Sequence, residues 1–246
     1  MAPSKASTLL YAVSSVAILG ADRAMILYHK DTETMIYDVH THHLPSTPGE
    51  AIVQLTPDTP TLLPGHLYSV GLHPWNIRDD WHTQMAKLLV MALHTHVLMI
   101  GETGLDKKNS PASMEVQMEV FREHVHLSEL IRKPLIVHCV KAFDELLSIR
   151  KEMKATLPWV IHGFRGGVEQ WQQLTRAGLL VSIGKHYDPT LIKELAPSQL
   201  LIESDDTTEL DTIYNNVSSD TGFSVTDLRQ HVANNTYHLL SSHHTA

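Results

Sequence analysis

The chain has 246 residues, of which 43% are hydrophobic and 19% charged. That composition suits one large globular domain and is too apolar for a disordered segment. A formal charge of −8, from 19 Lys plus Arg against 27 Asp plus Glu, argues against a general electrostatic grip on duplex nucleic acid. No uninterrupted apolar run reaches the ~18–20 residues of a spanning helix. The lone cysteine, Cys139, excludes an internal disulfide framework and a Cys-rich zinc module.

Residues 8–20 form an apolar run behind Lys5. With one preceding cation and no small-x-small cleavage site, the run is a poor secretory signal, and a cytoplasmic location is expected. Every chemical motif lies downstream of Met35, so residues 1–34 are read as a dispensable extension and 35–246 as a single domain.

Short apolar, β-branched runs predict strands at 36–40, 51–55, 68–72, 97–101, 135–139, 159–163, 179–183 and 200–204. Helical periodicity falls between them at 80–95, with Met85, Leu88, Leu89 and Ala92, and at 112–132, with Met114, Met118, Phe121, Val125 and Leu130. Further helices are expected at 142–154, 168–177, 189–195 and 224–240. The alternation predicts an α/β fold, a (β/α)8 TIM barrel. Residues 42–50 are too short for a helix, and prolines including Pro57, Pro60 and Pro64 break 56–66. The helical ring is therefore expected to be reduced beside strands one and two.

In such a barrel the chemistry sits at the C-terminal ends of the strands. His40 and His42, two residues apart, share a face there with Asp38 behind them. Glu102, His138, His162 and Asp205 end later strands. Singly, each has a bland explanation as a strand-end polar residue or a cap. Jointly, four imidazoles and two carboxylates exceed what one tetrahedral zinc takes. They suit two divalent ions sharing a bridging carboxylate, a centre that attracts an anionic phosphodiester without a basic surface.

The motifs Tyr-Asp-Val-His-Thr-His (37–42), Gly-Leu-His-Pro-Trp (71–75) and Gly-Glu-Thr-Gly-Leu-Asp (101–106) occur in that order. Ile-Val-His-Cys (136–139), Ile-His-Gly-Phe (161–164) and Ile-Glu-Ser-Asp (202–205) follow them. The series resembles the TatD-type metal-dependent hydrolases, amidohydrolase-like TIM barrels, over roughly residues 36–240, as a short variant. A C-terminal segment around Asn235 is similar to the family's asparagine motif.

The resemblance implies that His40, His42 and Asp205 bind one metal with Glu102 bridging, and that His138 and His162 bind the second with Glu102. It gives His73 a supporting or phosphate-contacting role, and Glu102, Asp205 and His73 roles in catalysis. The implied cofactors are two divalent ions (Zn, Mn, Mg, Co or Fe). The implied activity is hydrolysis of a phosphodiester, with single-stranded DNA ends or small phosphoesters as partners. The chain departs from the family in carrying Arg165 after Gly-Phe and Lys141 near His138, and both are candidate phosphate contacts. A shortened segment after strand one removes a loop that would shape a groove for polymeric DNA. Two other readings keep the metals: hydrolysis of a small amide, lactone or ester, and a non-catalytic metal-binding barrel.

Overall fold

The computed structural model describes residues 35–59 and 61–241. The expectation that residues 1–34 are dispensable falls outside them, as does Pro60. Among the described residues, seven strands form one curled, parallel sheet in chain order. They are β1 (Asp38–Thr41), β2 (Ala51–Leu55), β3 (Leu67–Val70), β4 (Val97–Asp106), β5 (Leu135–Val140), β6 (Trp159–Ile161) and β7 (Leu179–Val181). All residues of β1 to β4 are buried, as a parallel sheet covered on both faces demands.

The helices are α1 (Trp81–Ala92), α2 (Met114–Ile131), α3 (Phe143–Met153), α4 (Val168–Arg176), α5 (Pro189–Glu194), α6 (Leu210–Thr221) and α7 (Val225–Ser241). The four apolar positions expected to anchor α1 are all buried. Helix α2 begins where the Ser113 side chain accepts from the Val116 amide, and it buries Val120, Phe121, His124 and Val125. Met114, Met118 and Leu130 are only partly buried at its edge. Among the described residues, no helix stands between β1 and β2 or between β2 and β3.

One element was not expected from the sequence, and one expectation needs correction. Helix α6 matches none of the helices expected from the sequence; Asn, Ser, Asp and Thr are frequent in it, residues that favour caps and turns. Ile213, Tyr214 and Val217 nonetheless share one buried face, and Gly222, at φ 78°, ends the helix left-handed. The strand expected at 200–204 forms no ladder. Single bridges join Ile202 to Ile183 on one side and Asp205 to Thr41 on the other. Extended backbone stops at Asp205, whose φ is 52°.

Side chains reinforce that junction. The Asp38 carboxylate accepts from the Ser204 amide at 3.0 Å and the Ser204 hydroxyl at 2.6 Å. Burial pushes its carboxyl up to about 7. Asn235 on α7 donates to the carbonyls of Pro197 and Leu200 at 2.7 and 2.8 Å, which fixes the approach to this segment. A smaller apolar cluster joins Val39, Ile52, Met99, Ile136 and Val160 to Leu239 and Leu240 of α7. Ile52 shares a face of β2 with Gln54, so this cluster lies beneath the polar residues described next.

Candidate metal centre

Glu102 is the hub. It lies within β4 and is 2% exposed. Gly101, at φ 127°, precedes it, and a Cβ there would collide with the Ile136 carbonyl, so only glycine lets β4 lie this close to β5. The Glu102 amide donates to the Gln54 side chain, whose Oε1 also accepts from Ser69 at 2.8 Å. The backbone is thus held from below while the carboxylate faces the ends of β1, β3, β5 and β6.

Its two oxygens face different imidazoles. Oε2 lies 3.5 Å from His40 Nε2 and 3.3 Å from His42 Nε2. Oε1 lies 3.1 Å from His73 Nε2, 3.1 Å from His138 Nδ1 and 2.7 Å from His162 Nε2. Asp205 Oδ1 closes the first set, 3.7 and 3.6 Å from the same His40 and His42 nitrogens. All six residues expected as ligands therefore converge. His73, expected in a supporting role, stands as near to Glu102 as His138 does. Burial alone would raise Glu102, but the imidazoles around it hold its carboxyl well below the ordinary range. His42 is raised, chiefly by its hydrogen bond to Glu102, whereas burial lowers His73.

Two further carboxylates turn these imidazoles. Glu203 Oε1 lies 3.3 Å from His162 Nδ1, and its other oxygen accepts from Ser182. Asp106 Oδ2 lies 3.2 Å from His138 Nε2. Asp106 also accepts from the Trp75 indole at 2.6 Å and from the amides of Lys108 and Asn109. Burial would raise Asp106, yet these donors keep its carboxyl far below the usual range. Carboxylates behind metal-binding imidazoles fix the tautomer and raise ligand basicity. Sequence reasoning quoted both residues inside motifs and gave them no role. Strand alternation was the available signal, since Glu203 shares a face with Asp205 and Glu102 with Asp106.

A divalent cation fits this donor set. Each of three trios, His40/His162/Asp205, His40/His42/Glu102 and His73/Glu102/His138, offers ligand atoms within 4.8 Å of one another. Both His40 ring nitrogens are buried without a hydrogen-bond partner among the described residues. Such orphans are rare and costly, and a cation between Nε2 and the carboxylates relieves one of them. Neighbouring Cys139 is no competing nucleophile, because burial pushes its thiol up to about 12.

The two expected phosphate contacts lie outside this cluster. Lys141 and Arg165 are exposed and form no ion pair or side-chain hydrogen bond among the described residues. Lys141 follows β5 with φ 56°. Arg165 borders a cleft of about 700 Å³ with Lys185, His186, Tyr187 and Asp220. Lys107, by contrast, is tied to Glu145 at 2.7 Å.

A parallel α/β sheet with a buried nitrogen-and-oxygen donor cluster where its strands end is an arrangement able to hold divalent cations. Residues 56–238 match the family described as TatD related DNase, and the chain belongs to that family. It is 28% identical over 145 residues to the uncharacterized metal-dependent hydrolase YabD of Bacillus subtilis, covering 56% of this chain and 57% of that one. It is 32% identical over 126 residues to the 3'-5' ssDNA/RNA exonuclease TatD of Erwinia billingiae, covering 50% and 48%. The chain thus spans about half the length of the curated relatives it matches. The crystal structure of YJJV, a TatD homolog from Escherichia coli, superposes with a TM-score of 0.67 at 19% identity, covering 84% of this chain and 98% of that one. Among the described residues, no helix is long and apolar enough to cross a membrane.

Proposed function

We propose that the chain is a divalent-metal-dependent phosphodiesterase of deoxyribonuclease type, acting on single-stranded DNA ends or small phosphoesters. The observation that carries this reading is the placement of Glu102, with one oxygen toward His40 and His42 and the other toward His73, His138 and His162. A carboxylate so placed suits two ions, one held with His40, His42 and Asp205, the other with His138 and His162. The name of the Erwinia relative supports nucleic-acid ends as substrate. On this reading residues 200–205 act as the eighth strand of a (β/α)8 barrel, supported by their bridges to both neighbours, and residues 35–246 are the working unit.

Divalent ions in such a centre acidify water from about 15.7 toward about 7 and act as Lewis acids on phosphoryl oxygens. The remaining work falls to the chain. Asp205, its side chain 29% exposed against 3% for Glu102, has the solvent access to accept a proton from the attacking water and release it. Glu203 and Asp106 keep His162 and His138 turned toward Glu102. They also add two negative charges to those of Glu102 and Asp205, so two M²⁺ leave the centre near neutral rather than at a net +2. Attraction of an anionic substrate then falls to unpaired cations at the rim, and Lys141 and Arg165 are the candidates.

The test is hydrolysis of bis-p-nitrophenyl phosphate, single-stranded DNA and a lactone panel, before and after chelation and with metal add-back. Phosphodiester hydrolysis that chelation removes, that add-back restores and that Glu102→Ala lowers on the order of 10²- to 10³-fold is the expected result. Lactone or amide turnover alone would replace the substrate class. Stoichiometric metal without any turnover would leave a binding protein.

A further inference from the structure

Four tryptophans occur in the chain. Trp159 is 0% and Trp81 7% exposed, while Trp75 is 49% exposed. Leaving half an indole in water forgoes a large burial gain, and the surroundings hold the ring there. Its Nε1 donates to Asp106 at 2.6 Å. Its amide donates to His73 Nδ1 at 3.1 Å, within a short 3-10 turn (Pro74–Asn76). The Pro74 carbonyl accepts from the Ser110 hydroxyl at 2.7 Å. Backbone and ring are therefore fixed from three directions. The ring is also close to the centre, its centroid 4.8 Å from that of His73 and 5.8 Å from that of His138.

We propose that Trp75 is a stacking platform for a base of single-stranded nucleic acid, seating the strand so that its phosphodiester meets the centre. This rests on the reading of the centre as a phosphodiesterase. An immobilised, half-open indole loses little entropy on contact and offers a π-face that any base can cover, giving affinity without sequence preference. It suits a chain with a formal charge of −8, for which general phosphate attraction is weak. The same residue holds Asp106 and, through it, His138, so the base contact must be separated from that positioning role.

The experiment compares a short single-stranded DNA with an abasic strand of equal length, in the full chain and in Trp75→Leu and Trp75→Phe. In the wild type, kcat/KM is expected to favour the base-bearing strand. In Trp75→Leu that preference is expected to fall about 5- to 150-fold, the equivalent of 1–3 kcal/mol per stacked base. Trp75→Phe, which keeps a ring but loses the indole N–H, should retain part of it. Equal losses on both strands, or no preference in the wild type, would overturn the stacking role and leave Trp75 as support for Asp106. A second readout is quenching of tryptophan fluorescence by each strand in chelated protein. If no phosphodiester is cleaved, the reading of the centre fails. Quenching by the base-bearing strand alone, lost in Trp75→Leu, would still support stacking, and its absence would overturn it.

Discussion

Glu203 and His162 form a buried pair in which the carboxylate holds Nδ1 at 3.3 Å and thereby turns Nε2 onto Glu102. Neither belongs to a regular strand: His162 directly follows β6, and Glu203 lies in the segment joined to its neighbours by single bridges. The orientation of this imidazole therefore depends on the partner more than on the backbone. Glu203→Gln keeps the shape and removes the charge. We expect it to weaken divalent-metal affinity about 10- to 100-fold, measured by titrating chelated protein. Unchanged affinity would mean that His162 needs no orienting partner.

His124 is a second buried imidazole with a different task. Its Nε2 accepts from the Leu72 amide at 3.0 Å and its Nδ1 donates to the Val120 carbonyl at 2.8 Å, which anchors α2 under the residue before His73. Burial lowers its pKa to about 4 from an ordinary 6.5. Below pH 6.5 the unfolded chain binds a proton that the folded one refuses, so its stabilisation is complete above 6.5 and is lost as pH falls toward about 4. The stability difference between wild type and His124→Gln, from urea unfolding, should shrink by about 3 kcal/mol between pH 7 and pH 4. A difference independent of pH would contradict a neutral buried imidazole.

Asn235 gives its two donors to backbone carbonyls at the head of the segment that carries Glu203 and Asp205. Asn235→Asp replaces the amide donors with acceptors facing acceptors. A loss of about 2–4 kcal/mol in unfolding free energy is expected, with metal stoichiometry retained. A stable variant that had lost metal would shift this residue from support to ligation.

A chain beginning at Met35 contains every residue of the centre. It is expected to keep metal-dependent hydrolysis at the rate of the full chain. Soluble protein lacking that activity would assign residues 1–34 a part in the chemistry.

The strand-end histidines were legible in the sequence because alternation puts His40 and His42 on one face and because isolated imidazoles stand out at the ends of apolar runs. Glu102 was legible for the same reason, flanked by Gly101 and Gly104. Gln54 carried an unused signal: a polar residue inside the apolar run Ala-Ile-Val-Gln-Leu, and it holds the Glu102 amide. Asp106 and Glu203 were hidden because a carboxylate near a strand end usually caps a loop, and only geometry distinguishes a cap from a brace. Helix α6 was not foreseen: its Asn, Ser, Asp and Thr have weak helix propensity, and tertiary burial of Ile213, Tyr214 and Val217 decides for helix. The strand expected at 200–204 had the right apolar run but not the ladder, because extended backbone ends at a left-handed Asp205.

The junction of β1 with residues 202–205 has a further consequence for how the protein is made. The His42 amide donates to the Asp205 carbonyl at 2.9 Å, and the Ser204 side chain reaches Asp38 across 166 positions of sequence. The first and last members of the cluster are thus neighbours in space and distant in time of synthesis. A nascent chain that has already exposed His40 and His42 must wait for Asp205 before the two can be enclosed together. Contacts of such long range are slow to form because their loop-closure entropy comes due before the contact rewards it. The set of His40, His42 and Asp205 is therefore completed only after residues 202–205 have been made, whereas His73, Glu102 and His138 precede them.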